Sequence, residues 1–316
     1  MWLLLLVPAM LGAAFLIDSD DDHDDNEAET EPTPDTSGDI SDDTATEDGS
    51  DDVNVINGDD SDDLLYGSNA ADRISGEGGN DVIFAEGGAD TVFGGEGSDG
   101  ILGGDGDDRL FGNSGSDLIE GGEGDDTIFL GDGDDASGTT VFAAENEEEL
   151  FTALDFQNGD DLIRGGAGND YMMDVSGSNT LYGEQGDDTL IAYESGLEST
   201  NTPDSLNGGA GNDFLGADNG DEVTGGPGAD HIVVAEDIDQ SEETVTVTDF
   251  DPLEDTLTID VYGSDLSGIG ADEDIVITET SDGLMLEFLG EQVALLQGLT
   301  LADLPADTTG LFTLTV

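Results

Sequence analysis

The sequence has no cysteine and no lysine, and its only basic residues besides two histidines are Arg73, Arg109 and Arg164. Without cysteine there are no disulfides and no thiolate metal sites. Without lysine there is no Schiff base and no Walker A phosphate loop. Against those three arginines stand 79 acidic residues, for a formal net charge of −76 at pH 7. A field of that sign repels nucleic acid and anionic bilayers and attracts cations. The sequence also holds no H-E-x-x-H zinc motif and no G-x-S-x-G elbow. A non-catalytic protein is therefore expected. A carboxylate-based hydrolase on the surface of the chain is the remaining catalytic alternative.

Long apolar runs are scarce, and the longest opens the chain. Residues 1–17 read MWLLLLVPAMLGAAFLI, at the lower length limit for crossing a bilayer. The run lacks a Lys/Arg-rich start, and it is expected to be a signal peptide or an uncleaved membrane anchor. Either reading puts the rest of the chain outside the cytoplasm. Residues 18–52 are acidic and rich in Ser, Thr and Pro. They cannot bury enough apolar surface to offset ordering, so an acidic disordered linker is expected. Asp18, Asp20, Asp22 and Glu29 match an EF-hand spacing only superficially, because His23 stands where that loop needs glycine.

Glycine, in contrast, is plentiful at 48 residues, and it is periodic. Asp63, Asp72, Asp81, Asp90, Asp99, Asp108, Asp117, Asp126 and Asp135 fall nine residues apart. Around each the frame is G-G-x-G-x-D-x-U-x, with U a large aliphatic residue. Clear copies start at Gly94, Gly103, Gly121 and Gly165. The U positions are Leu65, Ile74, Ile83, Val92, Ile101, Leu110, Ile119 and Ile128. This pattern resembles the repeat-in-toxin (RTX) family of hemolysin-type calcium-binding repeats, over about 180 residues. The resemblance implies an all-β fold: a calcium-loaded parallel β-roll, the RTX solenoid, with a small C-terminal β capping domain.

The roll is expected over 53–235. Residues 139–155 break the frame as an insertion, and 192–199 form a second one. Between them lie Asp161, Asp170, Asn179 and Asp188. After them come Asp204, Asp213, Asp221 and Asp230, with one residue deleted between Asp213 and Asp221. Residues 236–316 lose the glycines and are expected to cap the open end of the solenoid. Strands are expected at 244–250, 256–262 and 311–316, with a hairpin turning at Asp282-Gly283.

Each unit is a turn followed by a short strand whose U residue points inward. Two units make one coil, so turns eighteen residues apart stack at about 4.8 Å. Asp63, Asp81, Asp99, Asp117 and Asp135 then line one edge, and Asp72, Asp90, Asp108 and Asp126 the other. Stacked carboxylates repel, and a hard divalent cation between them removes the conflict. Calcium takes six to eight oxygens, which carboxylates and glycine-loop carbonyls can supply; magnesium demands a tighter octahedron. Zinc and copper prefer His and Cys.

Counting stacked pairs predicts about eleven calcium ions, held by these nine aspartates with Asp161, Asp170, Asp188, Asp204, Asp213, Asp221 and Asp230. Two inward aliphatics per coil bury little, so binding and folding are expected to be coupled. Asn179 weakens its pair. The units at Ser61 and Ala70 lack the fourth glycine, so the first coil binds poorly or caps the roll. Ser137 replaces an aliphatic, and His231 is expected to be an exterior strand residue. In the pairs at 107–108, 125–126 and 187–188, the second Asp is the ligand and the first is solvated.

The expected function is calcium binding by an exported, non-catalytic protein that folds on binding the ion. The alternative is a calcium-dependent adhesin or surface-layer component whose partner is an extracellular polysaccharide or a cell surface. The RTX resemblance implies type I secretion, and the ending LFTLTV resembles the apolar tail of such signals. The apolar start departs from that pattern.

Overall fold

The computed structural model describes residues 53–138, 159–174, 177–192, 202–218, 220–237, 243–262, 275–308 and 310–315. All fall within the compact unit Thr36–Val316. The expected signal or anchor, the acidic linker and the 139–155 insertion lie outside the described residues, as does the 192–199 insertion apart from Ala192. Among the described residues every regular element is a strand. No helix there is long and apolar enough to cross a membrane.

The strands form two sheets, of thirteen and eleven strands, and successive strands alternate between them. Through the repeats each strand pairs in parallel with the strand one coil later. Ile74 lies beside Val92, Val92 beside Leu110 and Leu110 beside Ile128 in the larger sheet. Leu65, Ile83, Ile101 and Ile119 succeed one another in the smaller one. These side chains alternate with outward ones, as a strand requires. All eight expected U residues are buried and meet in one core between the sheets. Each such burial contributes about 1.5–3 kcal/mol.

The stack continues across the insertions. Ile128 pairs with Ile163 and Ser137 with Met172, and Leu181 pairs with Leu206. The strands on either side of each insertion pair in register. A break in the nine-residue frame is therefore not a break in the solenoid.

Neither sheet ends with the glycine frame. Val245–Val247 pairs in parallel with Glu222–Thr224, and Thr256–Tyr262 with His231–Asp237. Glu291–Gln297 and Phe312–Thr315 add to the two sheets in turn. The hairpin at Asp282-Gly283 joins Val276–Glu279 to Gly283–Phe288, antiparallel. Phe250, Leu284, Leu286 and Phe288 close the core at this end.

On the outer face of the larger sheet, Phe93, Phe111 and Phe129 stack with centroids 4.8 and 5.0 Å apart. The Arg73 guanidinium lies 4.6 Å from the Phe93 ring centre. Such pairs add about 0.5–1.5 kcal/mol each beyond burial.

Ser137 is the weak point of the aliphatic columns. It sits between Ile119 and Met172, fully buried, and its hydroxyl has no hydrogen-bond partner. Ser137→Val removes a buried unsatisfied hydroxyl and adds aliphatic contact. It is expected to stabilise the roll by about 1 kcal/mol, read as a higher urea midpoint at fixed calcium. A lower midpoint would refute this.

Candidate metal centres

The repeat aspartates form two ladders, one along each edge of the roll. In every rung a side-chain Oδ1, a carboxylate except at Asn179, accepts a hydrogen bond from the backbone N–H of the matching residue one coil earlier. Asp63 N donates to Asp81 at 2.8 Å, Asp81 N to Asp99 at 2.8 Å and Asp99 N to Asp117 at 2.9 Å. Asp117 N reaches Asp135 at 2.8 Å. On the other edge Asp72 N donates to Asp90 at 2.7 Å, Asp90 N to Asp108 at 2.7 Å and Asp108 N to Asp126 at 2.8 Å.

Both ladders run straight through the insertions. Asp126 N meets Asp161 at 2.7 Å and Asp135 N meets Asp170 at 3.0 Å. The first edge continues from Asp170 to Asp188, Asp213 and Asp230 at 2.8–3.0 Å. The second continues from Asp161 through Asn179 and Asp204 to Asp221. The first edge gains one member that the frame does not reveal: Asp230 N donates to Asp255 at 3.0 Å. Nearby, the Asp249 carboxylate accepts the Gly225 and Gly226 amides, each at 2.9 Å. No glycine frame surrounds either residue. The signal that could have found them was the strand pattern that follows each.

The second oxygen is the telling one. Oδ2 of Asp81, Asp90, Asp99, Asp108, Asp117, Asp126, Asp135, Asp161, Asp170, Asp188, Asp213 and Asp230 is buried with no hydrogen-bond partner. Leaving one charged oxygen so placed costs several kcal/mol unless it gains a proton or a cation. Burial pushes these carboxyls up first, and the carboxylates of adjacent coils add to it, against the lowering effect of the N–H bond. Asp126 rises to about 8. Asp117 and Asp170 rise to about 7, and Asp81, Asp90, Asp108 and Asp135 to about 6. Asp188, Asp213 and Asp230 also reach about 6.

Carbonyl oxygens converge on the same places. At Gly94, a β-carbon would strike Asp99 Oδ2 and come within 2.9 Å of the Gly112 carbonyl oxygen of the next coil. The same pair of oxygens meets over Gly165 and Gly208. Glycine leaves that space open at these turns. Ala85 and Leu130 hold the corresponding place before Asp90 and Asp135. Among the described residues no three His, Cys, Asp or Glu side chains gather as a metal cluster. A donor set of two carboxylates and backbone carbonyls is all-oxygen, as calcium prefers.

The fifth position of the repeat is exposed, and it also has a role that sequence reasoning missed. Asp107 Oδ1 accepts the Asp125 amide and Asp125 Oδ1 the Asp160 amide, each at 3.1 Å. Asp62 and Asn80 do the same on the other edge at 2.7 and 2.9 Å. These outer rungs run opposite to the inner ones. The signal was there in the recurrence of Asp, Asn and Ser at that position. His231 lies on the strand His231–Asp237, its Nδ1 2.8 Å from Thr256 Oγ1.

The model of the RTX calcium-binding nonapeptide repeat matches residues 48–83, 66–101, 102–136, 157–173, 172–194 and 200–221. The chain carries RTX calcium-binding repeats. No curated protein matches it. Among solved structures, the extracellular lipase LipA from Serratia marcescens aligns at 19% identity and a TM-score of 0.24. The alignment covers 80% of this chain and 40% of the lipase chain. A score that low bears on neither fold nor activity. Asp255 lies beyond the last matched RTX segment, although the ladder runs through it.

Proposed function

We propose that this RTX chain is an exported, non-catalytic calcium-binding protein whose roll folds when the ion binds. The twelve Oδ2 atoms of the two ladders that are buried without partners carry this reading. The twelve aspartates that bear them would hold the ions together with turn carbonyls. Calcium there supplies the positive charge that lets stacked carboxylates stay ionised. The aspartates themselves tie each coil to the one before it through Oδ1. One ion per unpartnered oxygen sets an upper count close to the number expected from the repeats. Export is supported by the RTX resemblance and by a net charge of −76, which suits a medium rich in divalent cations.

The test is far-UV circular dichroism of the full chain during calcium titration, with magnesium at matched ionic strength as control. A steep gain of β-structure with calcium alone is expected. Full β-structure before any calcium is added would sink the coupled-folding reading.

A further inference from the structure

Not every turn of the roll is built alike, and resting on the calcium reading above, we infer that its terminal turns take no ion because a backbone amide fills the ion's place. At Asp63, Oδ2 accepts the Asp59 amide at 2.8 Å. At Asp72 it accepts the Ser68 amide at 2.6 Å. The far end repeats the device: Asp221 Oδ2 takes the Asp218 amide at 2.8 Å and Asp255 Oδ2 the Asp251 amide at 2.7 Å. An N–H donor and a cation compete for the lone pairs of that oxygen, so the Oδ2 that faces the ion's place in the interior turns is already engaged in a turn closed this way.

Two backbone conformations separate the classes. Each of the twelve unpartnered aspartates follows, two residues on, a glycine with positive φ, such as Gly97 at 136° before Asp99 and Gly106 at 132° before Asp108. In the four closed turns that place holds Ser61, Ala70, Asn219 and Leu253. The residue four before the aspartate differs in the same way. Among the described residues it has positive φ before each of the unpartnered aspartates, even where it is not glycine: Glu77 at 73°, Asn113 at 77° and Glu184 at 76°. Asp59, Ser68 and Asp251 lack that conformation, and there the amide swings onto Oδ2. The pair of left-handed residues turns the amide away, and so decides which turns can bind.

Both ends of the roll are thus capped without metal, and Asp63, Asp72 and Asp221 act as positioning residues that hold a turn closed. The ends therefore have no divalent charge to lose when calcium falls.

Native mass spectrometry of the full chain at saturating calcium tests this by counting ions. D63N and D72N are expected to keep the wild-type count, while D99N and D108N each lower it. Equal losses from D63N and D99N would overturn the inference and leave calcium binding intact. No calcium on the wild type would overturn the functional reading itself. Because D99N can fail to fold, a gain variant complements it. D59G/S61G rebuilds both left-handed positions beside Asp63 and is expected to add one ion. An unchanged count in that variant would also overturn the inference.

Discussion

Chelating calcium at pH 7.5 is expected to unfold the roll, and lowering the pH to about 5 without calcium to restore much of its β-structure. The cause lies in the ladder carboxyls. In the folded chain ten of them, Asp81, Asp117 and Asp126 among these, titrate at about 6 to 8, while in the unfolded chain they titrate near 3.9. Folded pKa values above unfolded ones mean that the folded state holds more protons between them. Stability must then fall as pH rises through that window. The protonated contribution is complete below the unfolded value and is lost by about pH 8, where Asp126 ionises last. Calcium replaces the proton at the upper end, so the two ligands compete for the same oxygens. The calcium midpoint is accordingly expected to rise as pH falls from 8 to 6. Circular dichroism at pH 5 and 7.5 in a chelator, followed by calcium titrations at both ends of the 6–8 range, measures both effects. A metal-free chain that loses structure on acidification would contradict the placement of these carboxyls.

Much of this arrangement was legible in the repeat. A period of nine with an aliphatic two residues after each aspartate places Ile83, Ile101 and Ile119 in one inward column and their aspartates on one edge. That works because parallel strands stack with no freedom to slip once the U residues are buried. The joints across 139–155 were not legible, since a frame break in the sequence carries no information on where the chain returns. Nor was the end of the ladder: Asp255 is placed by strand pairing to His231–Asp237, and its turn, Asp251 to Asp255, holds no glycine. The choice between a turn closed by its own amide and one left open lies in φ angles. The missing fourth glycine at Ser61 and Ala70 hinted at it, but Glu77, Glu86 and Glu184 adopt positive φ without glycine's composition signal. Their strain, of order 1–3 kcal/mol each, is overridden by the flanking coils.

Gly168→Ala is expected to destroy the roll or to move its calcium midpoint severalfold upward, the largest single-residue effect on the structure. Gly168 sits at φ 144°, and a β-carbon there would overlap the carbonyl oxygen of Gly133 in the preceding coil. The obstacle is backbone, and it cannot step aside. The Gly133 amide donates to the Ala167 carbonyl at 2.6 Å, and the Gly168 amide to Gln185 at 2.9 Å. Opening the contact means breaking rungs on both sides of the turn, and the expected cost exceeds about 4 kcal/mol. A second substitution separates this overlap from the general penalty of positive φ. Gly290 has φ 93° but open space around it, so Gly290→Ala is expected to cost only about 1 kcal/mol. Calcium titration and thermal unfolding of both variants give the comparison. Equal losses would mean that backbone conformation alone matters, and that the coils do not press together as closely as the stacked carbonyls require.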